Sequence, residues 1–551
     1  MMSEPRGYAA IVLHAHLPYV RHPEGDAYLE EKWFYEALTE SYIPLYMMLA
    51  QLAAEGVPYR ITVSLSPTLV SMCRDPLLQS RFSQFIDGLC ELAERETLRT
   101  RWQPQFHETA RMYSNRFKQV RSAYHDTLRS DVTRGFAELA NGGRIELITT
   151  AATHGYLPLM EVCPSAARAQ ILTAVRYHRK VFGTTPKGMW LPECGYYPGI
   201  DTYLREAGVR YFFTDAHGIE NASPRPRYGV FAPIYCPSGV AAFGRDMESS
   251  KQVWSAHEGY PGDSDYREFY RDIAYDLDWE YIRPLMGDCP VRTHTGIKYY
   301  RVTGRTEHKQ PYVREWAMGK AAAHAGNFMF NRERQIEHLA SAMDRKPIVV
   351  APYDAELFGH WWFEGPEFLE FVIRKIAYDQ DTIKLVTPTD YLDEYPRAQV
   401  AAPSMSSWGY MGYNEVWLAD CNHWIYPHLH MMARRMSELA ESYAPPQPDP
   451  VRRALNQAAR ELMLAQSSDW AFIMKAGTCV DYAVARTHDH ISRFDRLYSD
   501  IRSSNLDHEW VSRLECTDNI FPDIDYTVYS ASPMASAIRE MHAPAISSAI
   551  S

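Results

Sequence analysis

The side chains in this sequence that could do chemistry are acids and imidazoles placed just after short apolar runs. His14 and His16 close the run over residues 8–13, and His154 follows the run over 144–149. Glu193 follows 188–191, and Asp215 ends 210–214. Asp354, Glu356 and His360 follow 347–351. In barrels and open parallel sheets, ligands bind at the carboxyl ends of the strands. Ionisable groups recurring there from distant parts of the chain point to one pocket.

Two of these acids sit where a carboxyl would be tuned. Glu193 lies in Trp190-Leu191-Pro192-Glu193-Cys194-Gly195-Tyr196. Proline before it and glycine after it suit a strand that turns sharply into a loop. Crowding by Trp190, Tyr196 and Tyr197 would strip water from the carboxylate and move its pKa. Alone, the segment reads better as a surface glutamate on a turn; Asp354 shifts the balance. It opens Asp354-Ala355-Glu356-Leu357-Phe358-Gly359-His360-Trp361-Trp362, where acids, an imidazole and paired tryptophans crowd one short stretch. Packing does not require that mixture. A sugar does, because a pyranose has a C–H-rich face and a hydroxylated rim.

The histidines are less decided. His14-Ala15-His16 admits three readings: a metal pair facing one way from a strand end, a donor pair for sugar hydroxyls, or a hydrogen-bonded structural pair. No HExxH accompanies it. His154 by itself reads as a satisfied, half-buried histidine.

The elements that must position these residues alternate. The apolar runs over 8–13, 60–65, 144–149, 188–191, 210–214, 347–351 and 383–386 predict strands, with a weaker candidate over 239–243. Helical periodicity covers 33–54, 166–181, 266–279, 312–343 and 366–378. Strands alternating with helices predict a parallel sheet with covering helices, and continuous apolar strands agree. Residues 74–141 are too long for one crossover and predict a helical insertion. A linker-like stretch at 396–407 separates residues 1–395 from a helical unit over 396–530, and a Ser/Ala-rich tail occupies 531–551.

Composition sets the outer bounds. A chain of 551 residues exceeds what one core usually serves, so more than one domain is expected. Net charge is -11 with no Lys/Arg-rich run, which speaks against a nucleic-acid partner. Nine scattered cysteines without a CxxC pair suit reduced thiols. The N-terminus lacks a signal-peptide pattern, and no run is long enough to span a bilayer, so a cytoplasmic location without membrane attachment is expected.

Taken together, several segments resemble glycoside hydrolase family 57, and within it the 1,4-α-glucan branching type. They are HAHLPYVRHP (14–23), IELITTAATHGYLPL (145–159), WLPECGYYPG (190–199), FGRD (243–246), YDAELFGHWWFEGP (353–366), NEVW (414–417) and SSDW (467–470). The resemblance covers roughly residues 8–527. It implies an α/β fold: a distorted (β/α)7 barrel with a helical insertion and an α-helical C-terminal domain over the cleft. It also implies an α-glucan substrate such as amylose, glycogen or an amylopectin-like polymer, with no metal or other cofactor. Glu193 would be the nucleophile and Asp354 the general acid/base. His14, His16 and His154 would contact the sugar in the cleaving subsite, and Arg245 of FGRD would bind substrate. Trp279, Trp361, Trp408, Trp417 and Asp469 would line neighbouring subsites, with Trp33 as a further match. Residues 231–246, with Tyr235, resemble a mobile loop that shields the intermediate. The sequence departs from the family pattern at Ala419-Asp420-Cys421-Asn422-His423-Trp424, where relatives read closer to Asn-Pro-Glu-Asn-Asp-Trp.

Such an enzyme would work by double displacement with retention, its carboxyls about 5–5.5 Å apart. Three rivals stand beside it. One is an α-amylase-like hydrolase or 4-α-glucanotransferase of the same family, another a metal-dependent amidohydrolase-type enzyme. The third is a glucan-binding protein without activity.

Overall fold

A computed structural model describes residues 4–25, 28–255, 258–287 and 291–530; the expected tail over 531–551 lies outside them. Among the described residues nine strands form one sheet. They are β1 (Gly7–Ala15), β2 (Ile61–Leu65), β3 (Ile145–Thr150), β4 (Gly188–Trp190), β5 (Tyr211–Thr214), β6 (Ile234–Tyr235), β7 (Ala241–Gly244), β8 (Ile348–Asp354) and β9 (Ile383–Leu385). The order is β6-β7-β5-β4-β3-β2-β1-β8, with β9 pairing to the start of β1. Every pairing is parallel except β6 with β7. Seven consecutive parallel strands, from β7 round to β8, form the barrel wall. The remaining gap is bridged by isolated hydrogen bonds, from Asp246 N–H to the Val350 carbonyl (2.9 Å) and from Ile348 N–H to the Phe231 carbonyl (2.9 Å). A wall closed this way is a distorted barrel, as the family resemblance implies.

Alternation along the strands decides which side chains reach the interior. Tyr8, Ala10 and Val12 of β1 join Ile348 and Val350 of β8, Tyr211 and Phe213 of β5, and Ala241 and Phe243 of β7 in one buried inner cluster. Ala9, Ile11, Leu13 and Ala15 instead pack outward against the helical layer. Extending the inner rows of β1, β5 and β7 by two residues reaches His14, Asp215 and Arg245, and extending that of β8 by four reaches Asp354. The candidate site residues are thus the upper ends of the rows that fill the barrel.

Between β2 and β3 the long helices Pro76–Arg99 and Pro104–Ser122 occupy the predicted insertion. After residue 395 the described chain adds no strand and builds helices Ile425–Ser442, Asp449–Ala465, Ser468–Ala476, Val480–Arg502 and His508–Thr517. Their apolar faces belong to the same cluster that covers the outside of the barrel.

One predicted helix is absent. Residues 266–279 are irregular apart from the short turn Ile273–Asp276. Buried Asp272 accepts hydrogen bonds from the Ala274, Thr295 and Gly296 amides at 2.8, 3.1 and 2.9 Å. Tying the segment to residues 295–296 satisfies its polar groups in a way a helix would not.

Candidate active site

The barrel mouth opens into a cleft lined by His14, His16, His154, Glu193, Arg245, Asp354 and Glu356 from strand ends, and by Trp408, Trp417 and Asp469 from the later chain. Strand register sets the first contacts: His14 lies beside Asp354 on β8 and beside Ser64 on β2. Its ring stacks on Trp190, with centroids 4.6 Å apart and planes 4° apart. Its Nδ1 meets Ser64 Oγ at 3.1 Å and its Nε2 meets His154 Nε2 at 3.1 Å.

The three histidines are pushed in opposite directions. Burial pushes His14 and His154 well below the usual imidazole range, and the histidine neighbours add to this. Burial also opposes a charge on His16, but the Asp469 carboxylate at 3.0 Å outweighs it and raises the imidazole pKa. In return Asp469, although mostly screened from water, is held at about 2 by His16. His16, His154 and Asp469 offer donor atoms within 4.8 Å of one another, as a cation site would require. Each is already committed: His16 to Asp469, His154 to His14 and to Ser468 Oγ (2.9 Å). We therefore do not assign them as metal ligands. The other close group, Glu461, His490 and Asp518, is ringed by Arg486 and Arg493, whose charges disfavour a cation.

Glu193 is held from both sides. Its backbone takes φ 60°, a left-handed conformation that costs a non-glycine residue about 1–3 kcal/mol. His154, which faces it, has φ 56°. Trp408 Nε1 donates to Glu193 Oε2 at 2.8 Å, and Ser468 Oγ donates to Oε1 at 3.1 Å. Burial raises the carboxyl's pKa, and these two donors work against that rise. Asp354 is the opposite case. Among the described residues none donates a hydrogen bond to its carboxyl, and burial, then the charges of Glu356 and Glu193, push its pKa well above the usual range. One carboxyl is provided with donors that favour its anion; the other is kept as an acid. That is the division of labour required for nucleophile and proton donor.

The later chain reaches the cleft because a helix is interrupted. Helix Asp449–Ala465 ends, and Ser468–Ala476 begins after an extended Ser467. The break is pinned by the Ser468 amide donating to the His154 carbonyl (3.0 Å). It places Ser468 and Asp469 at the start of the new helix, facing the barrel. Trp408 is fixed similarly, its amide donating to the Glu193 carbonyl at 3.0 Å. Trp417 is buried and stacks on Tyr156 with centroids 4.2 Å apart.

Comparison with known proteins now has a site to refer to. The family model for glycosyl hydrolase family 57 matches residues 10–343, more than half of the chain. The chain belongs to glycoside hydrolase family 57. A second model, for the C-terminal region of 1,4-α-glucan branching enzyme, matches residues 428–529. The chain is 33% identical to the 1,4-α-glucan branching enzyme TK1436 of Thermococcus kodakarensis, across 94% of this chain and 77% of that one. Among solved structures of family 57, it resembles the branching enzyme of Pyrococcus horikoshii (TM-score 0.85, 34% identity, 96% of this chain and 97% of that one). It also resembles a protein described as the novel α-amylase AmyC of Thermotoga maritima (TM-score 0.90, 44% identity, 96% and 99%).

The structure brings together Glu193, Asp354, His14, His16, His154, Arg245, Trp408, Trp417 and Asp469. It does not bring Trp33, Trp279 or Trp361 to the cleft. Trp33 packs edge-on against Tyr482, Trp279 lies under Arg292, and Trp361 stacks on Phe269 with more than half its surface exposed. Tyr235 needs a correction. It sits in β6, paired to Ala241 at the amino end of β7, and faces Arg210 and Asp393. The cleft is at the carboxyl end of the same strands, so Tyr235 lies away from it, while Arg245 of the same stretch lines it. The cleft also has lining residues that the sequence did not single out: Trp254, Tyr410, Val416 and Phe472. They come from a helix, a loop and a helix end where no acid or imidazole drew notice. Trp254 was the one with a legible signal, a tryptophan shortly after the FGRD segment.

Proposed function

We propose that this chain is a retaining 1,4-α-glucan branching enzyme that cleaves α-1,4 links and transfers the released chain to a 6-hydroxyl. Glu193 attacks the anomeric carbon while Asp354 gives its proton to the departing glycosidic oxygen, leaving a covalent glycosyl ester on Glu193. Asp354 then takes the proton of the incoming 6-hydroxyl as that oxygen displaces Glu193, and an α-1,6 link results. His14, His16 and His154 hold the sugar in the cleaved subsite, and Trp408, Trp417 and Arg245 border it. The observation that carries this reading is the contrast between the two carboxyls, one hydrogen-bonded by Trp408 and Ser468, the other without a donor among the described residues and pushed toward its acid form. The branching-enzyme C-terminal match at residues 428–529 supports transfer, because that stretch includes Ser468 and Asp469 of the cleft wall.

One observation favours hydrolysis instead. The higher identity is to the protein described as an amylase. Water reaching the ester would give shortened chains. Amylose incubation, followed by enzymatic debranching and chain-length analysis, separates the two. New α-1,6 points carry the proposal; shortened linear chains alone overturn it in favour of the hydrolase.

A further inference from the structure

The cleft contains a third acid that the double displacement does not use. Glu356 stands two residues beyond Asp354, in the single turn Ala355–Leu357 that follows β8. Its Oε1 accepts the His16 amide at 3.0 Å and the Tyr42 hydroxyl. Tyr42 reaches it from the π-helical turn Leu38–Tyr42, set between helices Glu31–Ala37 and Ile43–Ala54. π-Turns are uncommon and concentrate at functional sites. The approach is close: Gly359 has φ 114°, and a Cβ there would lie 1.9 Å from the Glu40 carbonyl oxygen. Only glycine lets that helix come near enough for Tyr42 to meet Glu356.

We propose that Glu356 is a positioning residue which holds the negative charge of the neighbouring acid pair and so keeps the proton on Asp354. Hydrogen bonds to a carboxylate favour its charged form. Two adjacent carboxyls that interact strongly share one charge, and it settles on the one with donors. Glu356 has the His16 amide and the Tyr42 hydroxyl as donors, and among the described residues Asp354 has none. The other charged groups facing the pair are spoken for. Arg245 is paired with Asp215, His16 with Asp469, and Glu193 is held by Trp408 and Ser468. His14, in register with Asp354, is held neutral by burial. The inference rests on Asp354 being the acid/base.

The sign follows directly. A like charge nearby raises the pH at which Asp354 loses its proton, so the fall of activity at high pH moves up. Removing that charge moves the fall down. The pH profile of the initial rate on subsaturating amylose is measured for the parent, Glu356→Gln and Tyr42→Phe. Glu356→Gln is expected to bring the alkaline limb down by about one pH unit or more. Tyr42→Phe, which removes one donor and leaves the acid, is expected to shift it less, in the same direction. A structural role alone would lower the rate at all pH values without moving the limb. Unfolding temperature reports whether each variant folds, and if Glu356→Gln does not, Tyr42→Phe decides. An unmoved limb in the folded variants overturns the inference. Asp354→Ala tests the underlying reading separately: loss of amylose turnover, with azide restoring turnover of an α-maltosyl fluoride, keeps Asp354 as acid/base. Retained amylose turnover would remove it. If azide rescue holds and the limb stays put, only the role of Glu356 falls.

Discussion

The half of the cleft built from strand ends and the half built from the chain after residue 395 treat charge differently. On the proposed mechanism strand ends supply the two reacting acids, Glu193 and Asp354, with His14 and Glu356 beside them; all four end inner rows or follow them directly. The later chain supplies the groups that hold them, with Trp408 and Ser468 on Glu193 and Asp469 on His16. A barrel strand can place a carboxyl to within its pleat. The side-chain donors to Glu193 come from outside the barrel, whereas Glu356 takes its donors from the His16 amide at the end of β1 and from Tyr42. The lesson is that the later helices are part of the reacting centre, so changes there should be felt in turnover as well as in binding.

That contrast can be broken at its strongest point first. Asp354→Ala is expected to lower amylose turnover by about 10²- to 10⁴-fold, the usual worth of a general acid, with the unfolding temperature unchanged; near-parental initial rates would remove the strand-end half of the account. Next, Trp408→Phe keeps the ring but removes the donor to Glu193 Oε2. A hydrogen bond to a charged group contributes about 1.5–3 kcal/mol, so the turnover rate at saturating amylose should fall by about 10- to 100-fold. A change confined to KM would reduce the later chain to a binding surface.

Asp469→Asn sharpens the same comparison with a smaller effect. Without the carboxylate, burial acts on His16 against only the weaker pull of Glu356 and Glu193, and its pKa is expected to drop toward the lowered range of His14 and His154. Carbon-13 NMR of labelled histidines follows this directly. An imidazole that still titrates high would mean another group, such as Glu356, sets its charge. The smallest effect is expected at Tyr235. Removing its hydroxyl in Tyr235→Phe should change turnover by less than about twofold, since surface changes far from a site cost within about 0.5 kcal/mol. A large loss, or a rise in hydrolysis over transfer, would restore Tyr235 as part of a shield.

Much of this was legible in the residues because the strands are short, apolar and followed at once by their chemistry. β1, with its inner row Tyr8, Ala10, Val12 and His14, predicted both an element and a site residue. The motif around Asp354 was dense enough to be read without knowing its neighbours. What failed was whatever depended on tertiary direction. Tyr235 carries a plausible ring in a plausible segment, but a two-residue strand pairing with the start of β7 sends it to the far end of the barrel. The helical pattern over 266–279 yielded to Asp272, whose partners lie twenty or so residues on. Tryptophans at 33, 279 and 361 fit a sugar-binding pattern, yet each packs against a neighbour outside the cleft. The role of Ser468 in holding Glu193 was beyond reach from sequence, because a serine at a helix start reads as a cap.

The central claim is that Glu193 forms a bond to the sugar while Asp354 moves the proton. A 5-fluoro-α-glucosyl fluoride, whose ester is slow to break down, tests it by mass spectrometry of the digested protein. The account predicts one glycosyl adduct, on the peptide carrying Glu193, which accumulates and disappears when an acceptor glucan is added. An adduct on another residue, or none while the fluoride is consumed, would contradict it.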